Sequence, residues 1–145
     1  MKIWPKLPPL EKINQKSLNT LVGHLDITID QLGDDYLEGS MPVNEKTIQP
    51  YGILHGGASC VLAESLGSIA SNLLVQNDGK IAVGQHISTH HLKPASSGRV
   101  IGKATLVHQG KKSHVWNIDI SDDKNRRISS TRLTMAIIEK QESSN

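Results

Sequence analysis

The sequence predicts an α+β domain in which an antiparallel sheet wraps around one long central helix. Three features carry that expectation. A stretch of helical length from Gly56 to about Leu74, almost free of charge, lies among segments that alternate apolar and polar residues. Those segments are joined mainly by short turns, which favour antiparallel pairing because a parallel return needs a crossover of about a dozen residues. A chain of 145 residues builds one core of useful size and not two, so a single domain over 1–145 is expected.

Each element has its own local reason. After the break at Pro8-Pro9, apolar Leu10, Ile13 and Leu18 suggest a short helix over 8–20. "LDITIDQL" sets Leu25, Ile27 and Ile29 against Asp26, Thr28 and Asp30, the pattern of a half-buried strand. "GDD" turns the chain and "YLEGSMPV" returns it. Pro50 and Gly52 break the loop "NEKTIQPYGIL" before the long helix opens at Gly56-Gly57, and "QNDG" ends that helix. Four strands follow: "KIAVGQHISTHHL", "RVIGKATLVHQ", "SHVWNIDI" and "RISSTRLTMAII". The tail 140–145 is expected to fray.

Bulk properties exclude several classes. A net charge of +2 is too small to argue for nucleic acid. The lone Cys60 sits in an apolar stretch and has no internal partner, which fits a reducing cytoplasm. "MKIWPKLPPL" lacks a continuous apolar core, so no signal peptide is expected. The stretch from Gly52 to Asn77 comes nearest to a membrane span, but its Ser, Gly, His and Glu content reads as a buried helix. There is no P-loop, GxGxxG or GxSxG.

The chain is 21% charged, yet Glu64 is the only charged side chain from Gln49 to Asn77. On the helix, Ala58, Val61, Leu62, Leu66, Ile69 and Leu73 form the main apolar stripe. Cys60, Ala63, Glu64, Gly67, Ser68 and Ser71 lie opposite. A helix without a charged face is covered on both sides, and one sheet covers only one. A second copy of the chain is the simplest other cover, so a homo-oligomer is expected. Cys60, Val61, Gly67 and Ser68, one turn from Glu64, offer it no neutralising group. A buried carboxylate must then find a partner or protonate. Two readings stay open from spacing alone: an inter-subunit ion pair or serine hydrogen bond, and a general base or nucleophile in a dry site.

His55-Gly56-Gly57 precedes the helix. Free N–H groups there, aided by the helix dipole, would stabilise negative charge developing on a carbonyl oxygen; the plain alternative is a tight turn into a helix. Glu64 is about 13 Å of rise further along, too far to address the same carbon. A site with the helix start from one chain and the carboxylate from another is therefore favoured. His86 and His90 share a strand face about 13 Å apart and His91 points the other way, which argues against a metal. Arg99, Lys103, Lys111 and Lys112 form a basic cluster in the second half, and the Lys111-Lys112 turn is either a solvated hairpin tip or a phosphate grip.

Beyond these physical readings, the order Gln49…His55-Gly56-Gly57…Glu64…Ser68, with "VGQHISTHHLKPASSGRV", "GKKSHVWNIDI" and "SSTRLT", resembles the hotdog-fold acyl-CoA thioesterases. The similar branch contains phenylacetyl-CoA-type thioesterases and 1,4-dihydroxy-2-naphthoyl-CoA hydrolases. The resemblance spans about residue 20 to 138 and implies a hotdog fold and hydrolysis of an aromatic acyl-CoA. It implies Glu64 as nucleophile or general base, the Gly56 amide as carbonyl polariser, His55 and Gln49 as positioners, and Ser68 as an aid on the Glu64 face. It places coenzyme A near Gly84, His91, Leu92, Lys93 and Pro94, and along the turn His108, Gln109, Gly110, Lys111, Lys112 and Ser113. It implies a dimer of dimers with shared sites, no metal, and no cofactor beyond the coenzyme A carried by the substrate. Two departures stand out: His90 occupies a position where the family often has Asn, and Lys111-Lys112-Ser113 replaces a Ser-Arg-His type of run. The rival readings are a non-catalytic acyl-CoA or acyl-carrier binding module and a hotdog hydratase, which relies on a His paired with an acid.

Overall fold

The structure, a computed structural model, describes residues 1–142. Two short helices, α1 (Leu10–Ser17) and α2 (Leu21–His24), lead into β1 (Thr28–Leu32) and β2 (Tyr36–Pro42). The long helix α3 (Gly56–Val75) follows, then β3 (Lys80–His91), β4 (Arg99–Gln109), β5 (Ser113–Asp122) and β6 (Arg127–Glu139). The six strands form one sheet in the order β1-β2-β4-β5-β6-β3, and every neighbouring pair is antiparallel. The expected α+β arrangement is present.

The expected N-terminal helix over 8–20 is two pieces. The chain turns at Leu18–Thr20, where Thr20 N–H and Thr20 Oγ1 both bond Ser17 O. Of the expected frayed tail, residues 143–145 lie outside the described residues. Lys140 is still tied down, its N–H donating to Gly79 O at 3.0 Å.

Strand periodicity sets the core. In β5 every second residue from His114 to Asp122 is buried, so Trp116, Ile118 and Ile120 meet the helix. Leu66 of α3 enters a hole made by two opposed glycines, Gly39 of β2 and Gly102 of β4. A Cβ at either would come within 2.6 or 2.5 Å of the Leu66 methyls, so these positions must stay bare for the helix to seat.

Which face of α3 meets the sheet differs from expectation. Ala63, Gly67 and Ser71, expected on the second face, are buried with Leu62 and Leu66. Val61 and Ile69, expected in the core stripe, are only half-buried. The reason is close approach and a polar network. Small residues let the helix settle on Leu133 and Ile118, and Ser71 Oγ accepts Trp116 Nε1–H at 2.7 Å while lying 3.0 Å from His114 Nδ1. Trp4 stacks on Trp116 from the N-terminal segment. By length and composition alone α3 is long and apolar enough for a membrane span, but most of it is packed inside this fold, as expected of a buried helix.

His114 is 1% exposed. Burial, and secondarily the charge of His108, push its pKa below the usual 6.5. The unfolded chain then takes the proton more readily, so stability is complete above about pH 7 and falls as pH drops through 6.5 toward the folded value. Asp122 adds a loss at more acidic pH. Burial pushes its carboxyl up, but bonds from Arg126 N–H and Nε and from Lys124 N–H outweigh that and hold it below 3.8. Thermal midpoints measured across this range should therefore decline below neutrality, and His114→Gln should flatten the first part of the decline. An equally steep His114→Gln curve would assign it to other groups.

Candidate active site

The loop before α3 is fixed at both ends. Thr47, 1% exposed, donates its hydroxyl to Pro42 O at 2.8 Å. Its own carbonyl accepts His55 N–H at 2.8 Å, and Leu54 N–H donates to Ala95 O at 2.7 Å. The helix start is thereby pinned to the 93–98 loop.

His55 is the N-cap, and its Nδ1 accepts Gly57 N–H at 2.7 Å. That corrects the expected donor pair: the Gly57 amide is used by the cap. The Gly56 N–H has no acceptor among the described residues, and it is the donor left for a ligand, at the positive end of a 20-residue helix.

A cavity of about 440 Å³ opens at this helix start. Gln49, Gly56, His91, Leu92, Lys93 and Pro94, all named from sequence, line it. The His91 ring lies so near Gly56 that a Cβ there would be 2.9 Å from Nε2. Gln49 Oε1 accepts the Tyr51 N–H, leaving its NH₂ for other partners. Ile53, Ser59 and Ile128 also line the cavity and were missed. Ser59 could have been found as a neighbour one turn from Gly56; Ile128 enters only through sheet pairing.

Glu64 is elsewhere. It lies eight residues beyond Gly56, about 12 Å along the axis, and is not in that cavity. It is exposed in the single chain, where the second copy expected to cover it is absent. Its carboxylate rests on Gly84 of β3, where a Cβ would come within 2.2 Å of Oε1. Gly84 is therefore bare for Glu64's sake. Ser68, one turn on, faces a second cavity of about 420 Å³ between α1, α3 and the start of β3.

The turn from His108 to Ser113 joins β4 to β5, with Gly110 N–H on Ser113 O at 2.8 Å. Ser113 lies opposite Ala136, which lies opposite Val83. The turn therefore sits at the level of Gly84 and Glu64, several residues along the sheet from His91. The expected coenzyme A surface is thus not continuous within one chain. It divides into a helix-start group near His91 and a carboxylate group near Gly84, seven residues apart along β3. Among the described residues, no three His, Cys, Asp or Glu side chains gather as metal ligands.

Comparison with known proteins identifies the family. A model of the thioesterase superfamily matches residues 51–129, which include both groups except Gln49. The 1,4-dihydroxy-2-naphthoyl-CoA hydrolase of Escherichia coli is 46% identical over 94% of this chain and 99% of its own. The proofreading thioesterase EntH of Cronobacter sakazakii is 46% identical over 94% of this chain and 98% of its own. The crystal structure of a Haemophilus influenzae thioesterase, 41% identical, superposes with a TM-score of 0.93 over 99% of both chains.

Proposed function

The chain belongs to the thioesterase superfamily, with the hotdog fold, and from that premise we propose that it cleaves aromatic acyl-CoA thioesters at sites shared between two copies. Thioester hydrolysis is the activity of its relatives by name, and this chain is a thioester hydrolase. The aromatic acyl group rests on the likeness to the naphthoyl-CoA hydrolase. A coenzyme A thioester in a reducing cytoplasm suits the single free cysteine, Cys60.

One observation carries the shared site: the two halves of the machinery sit apart along an edge strand, one at Gly84 and the other at its C-terminal end, His91. Gly56 lies against His91 and Glu64 against Gly84, and β3 has β6 on one side and an open edge on the other. Open edges recruit further strands. If β3 pairs antiparallel with β3 of a second copy, Gly84 of each approaches His91 of the other. Glu64 then reaches the second copy's Gly56, and the half-buried face of α3 around Glu64 is covered. A dimer of dimers would build on that pair.

In this site Gly56 N–H binds the thioester carbonyl oxygen and strengthens its hold as that oxygen gains charge. Glu64 either attacks the carbonyl carbon, forming an anhydride that water opens, or removes a proton from the water that attacks directly. In both routes the C–S bond breaks, the thiolate is protonated, and free acid and coenzyme A leave. His55 holds the helix start, Gln49 offers its NH₂ within the cavity, and Ser68 flanks the acyl side of Glu64. Lys93 and the Lys111-Lys112 turn supply positive charge for the phosphates.

Thiol release measured over a panel of aromatic and aliphatic acyl-CoAs tests this. Aromatic substrates should exceed aliphatic ones of similar size by at least about tenfold in kcat/KM. A preference for aliphatic chains would overturn the substrate class, and binding without release of thiol from any panel member would make the protein a binding module.

A further inference from the structure

The open edge of β3 is not open along its whole length. Antiparallel strands point alternate residues' backbone groups to opposite sides. Ile137 gives its N–H to Lys112 O, away from β3, and Ala82 is its partner in register. Ala82 therefore turns its N–H and C=O to the free edge. The same alternation, with the irregularity between Gly84 and His86, puts the groups of Gly84, Ile87, Thr89 and His91 on that edge.

At Ala82 both groups are taken. Asn72 of α3 accepts Ala82 N–H at 2.9 Å through Oδ1 and donates Nδ2–H to Ala82 O at 3.0 Å. Nδ2 also donates to Ser68 O at 2.8 Å, holding the carboxamide in place. A carboxamide bonded in this way imitates the peptide group of an added strand. No side chain among the described residues reaches the edge groups of Gly84, Ile87, Thr89 or His91.

We propose that Asn72 is a register stop, closing the edge at Ala82 so that a second copy's β3 can add only along Gly84–His91. This rests on the shared-site reading above. The open length is the part of β3 that carries both half-sites, Glu64 over Gly84 and Gly56 beside His91. Two-fold pairing confined to it brings the halves together. A slip by two residues, the smallest that keeps each side chain on its face, moves the strands by about 7 Å. That separates Glu64 from the second copy's Gly56.

Native mass spectrometry, amide hydrogen exchange and acyl-CoA kinetics on wild type, Asn72→Ala and Asn72→Asp provide the test. Asn72→Ala exposes the edge, so Ala82 should lose protection and a second assembly should appear. Its kcat should fall in proportion to that species with KM unchanged. Asn72→Asp keeps an acceptor for Ala82 N–H and adds an edge charge that repels strand addition, so it should keep one assembly and most of kcat. A single wild-type-like assembly with full kcat in Asn72→Ala would overturn the register stop while leaving the shared site standing. Identical behaviour of the two variants would do so too, marking Asn72 as merely structural. A wild type that is monomeric at full activity would remove both.

Discussion

Glu64→Ala is expected to lower kcat by about 10²–10⁴, the range for losing a positioned acid–base group, with little change in KM. The fold should be indifferent. Glu64 is exposed in the single chain, makes no side-chain hydrogen bond among the described residues, and has its carboxylate against a glycine, Gly84. An alanine there also favours the helix, so the thermal midpoint should stay level or rise slightly. Near-normal turnover in this variant would remove Glu64 from the chemistry. Because Glu64 serves the second copy's cavity, mixing Glu64→Ala with a variant defective at the helix start should regain part of the activity in hybrid dimers. Recovery on mixing would not occur if each chain worked alone. A single turnover in heavy-oxygen water then separates the two routes: direct attack by water labels the product acid every time, whereas an anhydride opened at the Glu64 carbonyl leaves label on the enzyme.

Much of this arrangement was legible in the sequence because its causes are local. Strands announce themselves by a period of two, as in Trp116, Ile118 and Ile120 of β5, all buried. The alternation Leu25, Ile27, Ile29 overran, because Leu25 caps α2 and β1 starts only at Thr28. The helix is bracketed by glycines and by the turn after Val75, and Glu64 stands out by the absence of charge around it. What could not be read depends on which surfaces meet. A 3.6-residue period shows that α3 has two faces, but with neither face charged it does not say which one meets the sheet. The choice fell to Ser71, whose hydroxyl meets Trp116 and His114, partners more than 40 residues away. Sheet order is equally non-local: nothing in "KIAVGQHISTHHL" says that it pairs with β6 and ends as an edge. For that reason the turn 108–113 and residues 91–94 seemed one surface and are two. The use of His55 as a helix cap was hidden for a different reason, since His is not among the residues usually read as an N-cap.

Gly56→Pro isolates the other half of the mechanism. Gly56 is the first residue of α3, and His55 before it has φ −67° and ψ 131°. That is the extended conformation a residue preceding proline requires. Proline is at home in the first helical position, where its missing N–H costs no intrahelical bond. A compatible glycine-to-proline change also restrains the unfolded chain, so stability should hold or rise by up to about 1 kcal/mol. What disappears is the unpaired amide at the start of α3. Losing a single donor to a developing oxyanion costs about 10²–10³ in kcat, and that is the loss expected here. Gly56→Ala is the control, because it adds the Cβ and keeps the N–H. That Cβ would come within 2.9 Å of His91 Nε2, and His91 is exposed and free to swing aside, so Gly56→Ala should alter KM more than kcat. If the alanine and proline variants lose kcat equally, crowding of His91 explains both, and the Gly56 amide is not the group that polarises the carbonyl. If only the proline variant loses it, catalysis depends on a backbone atom that no side-chain substitution elsewhere in the cavity can replace.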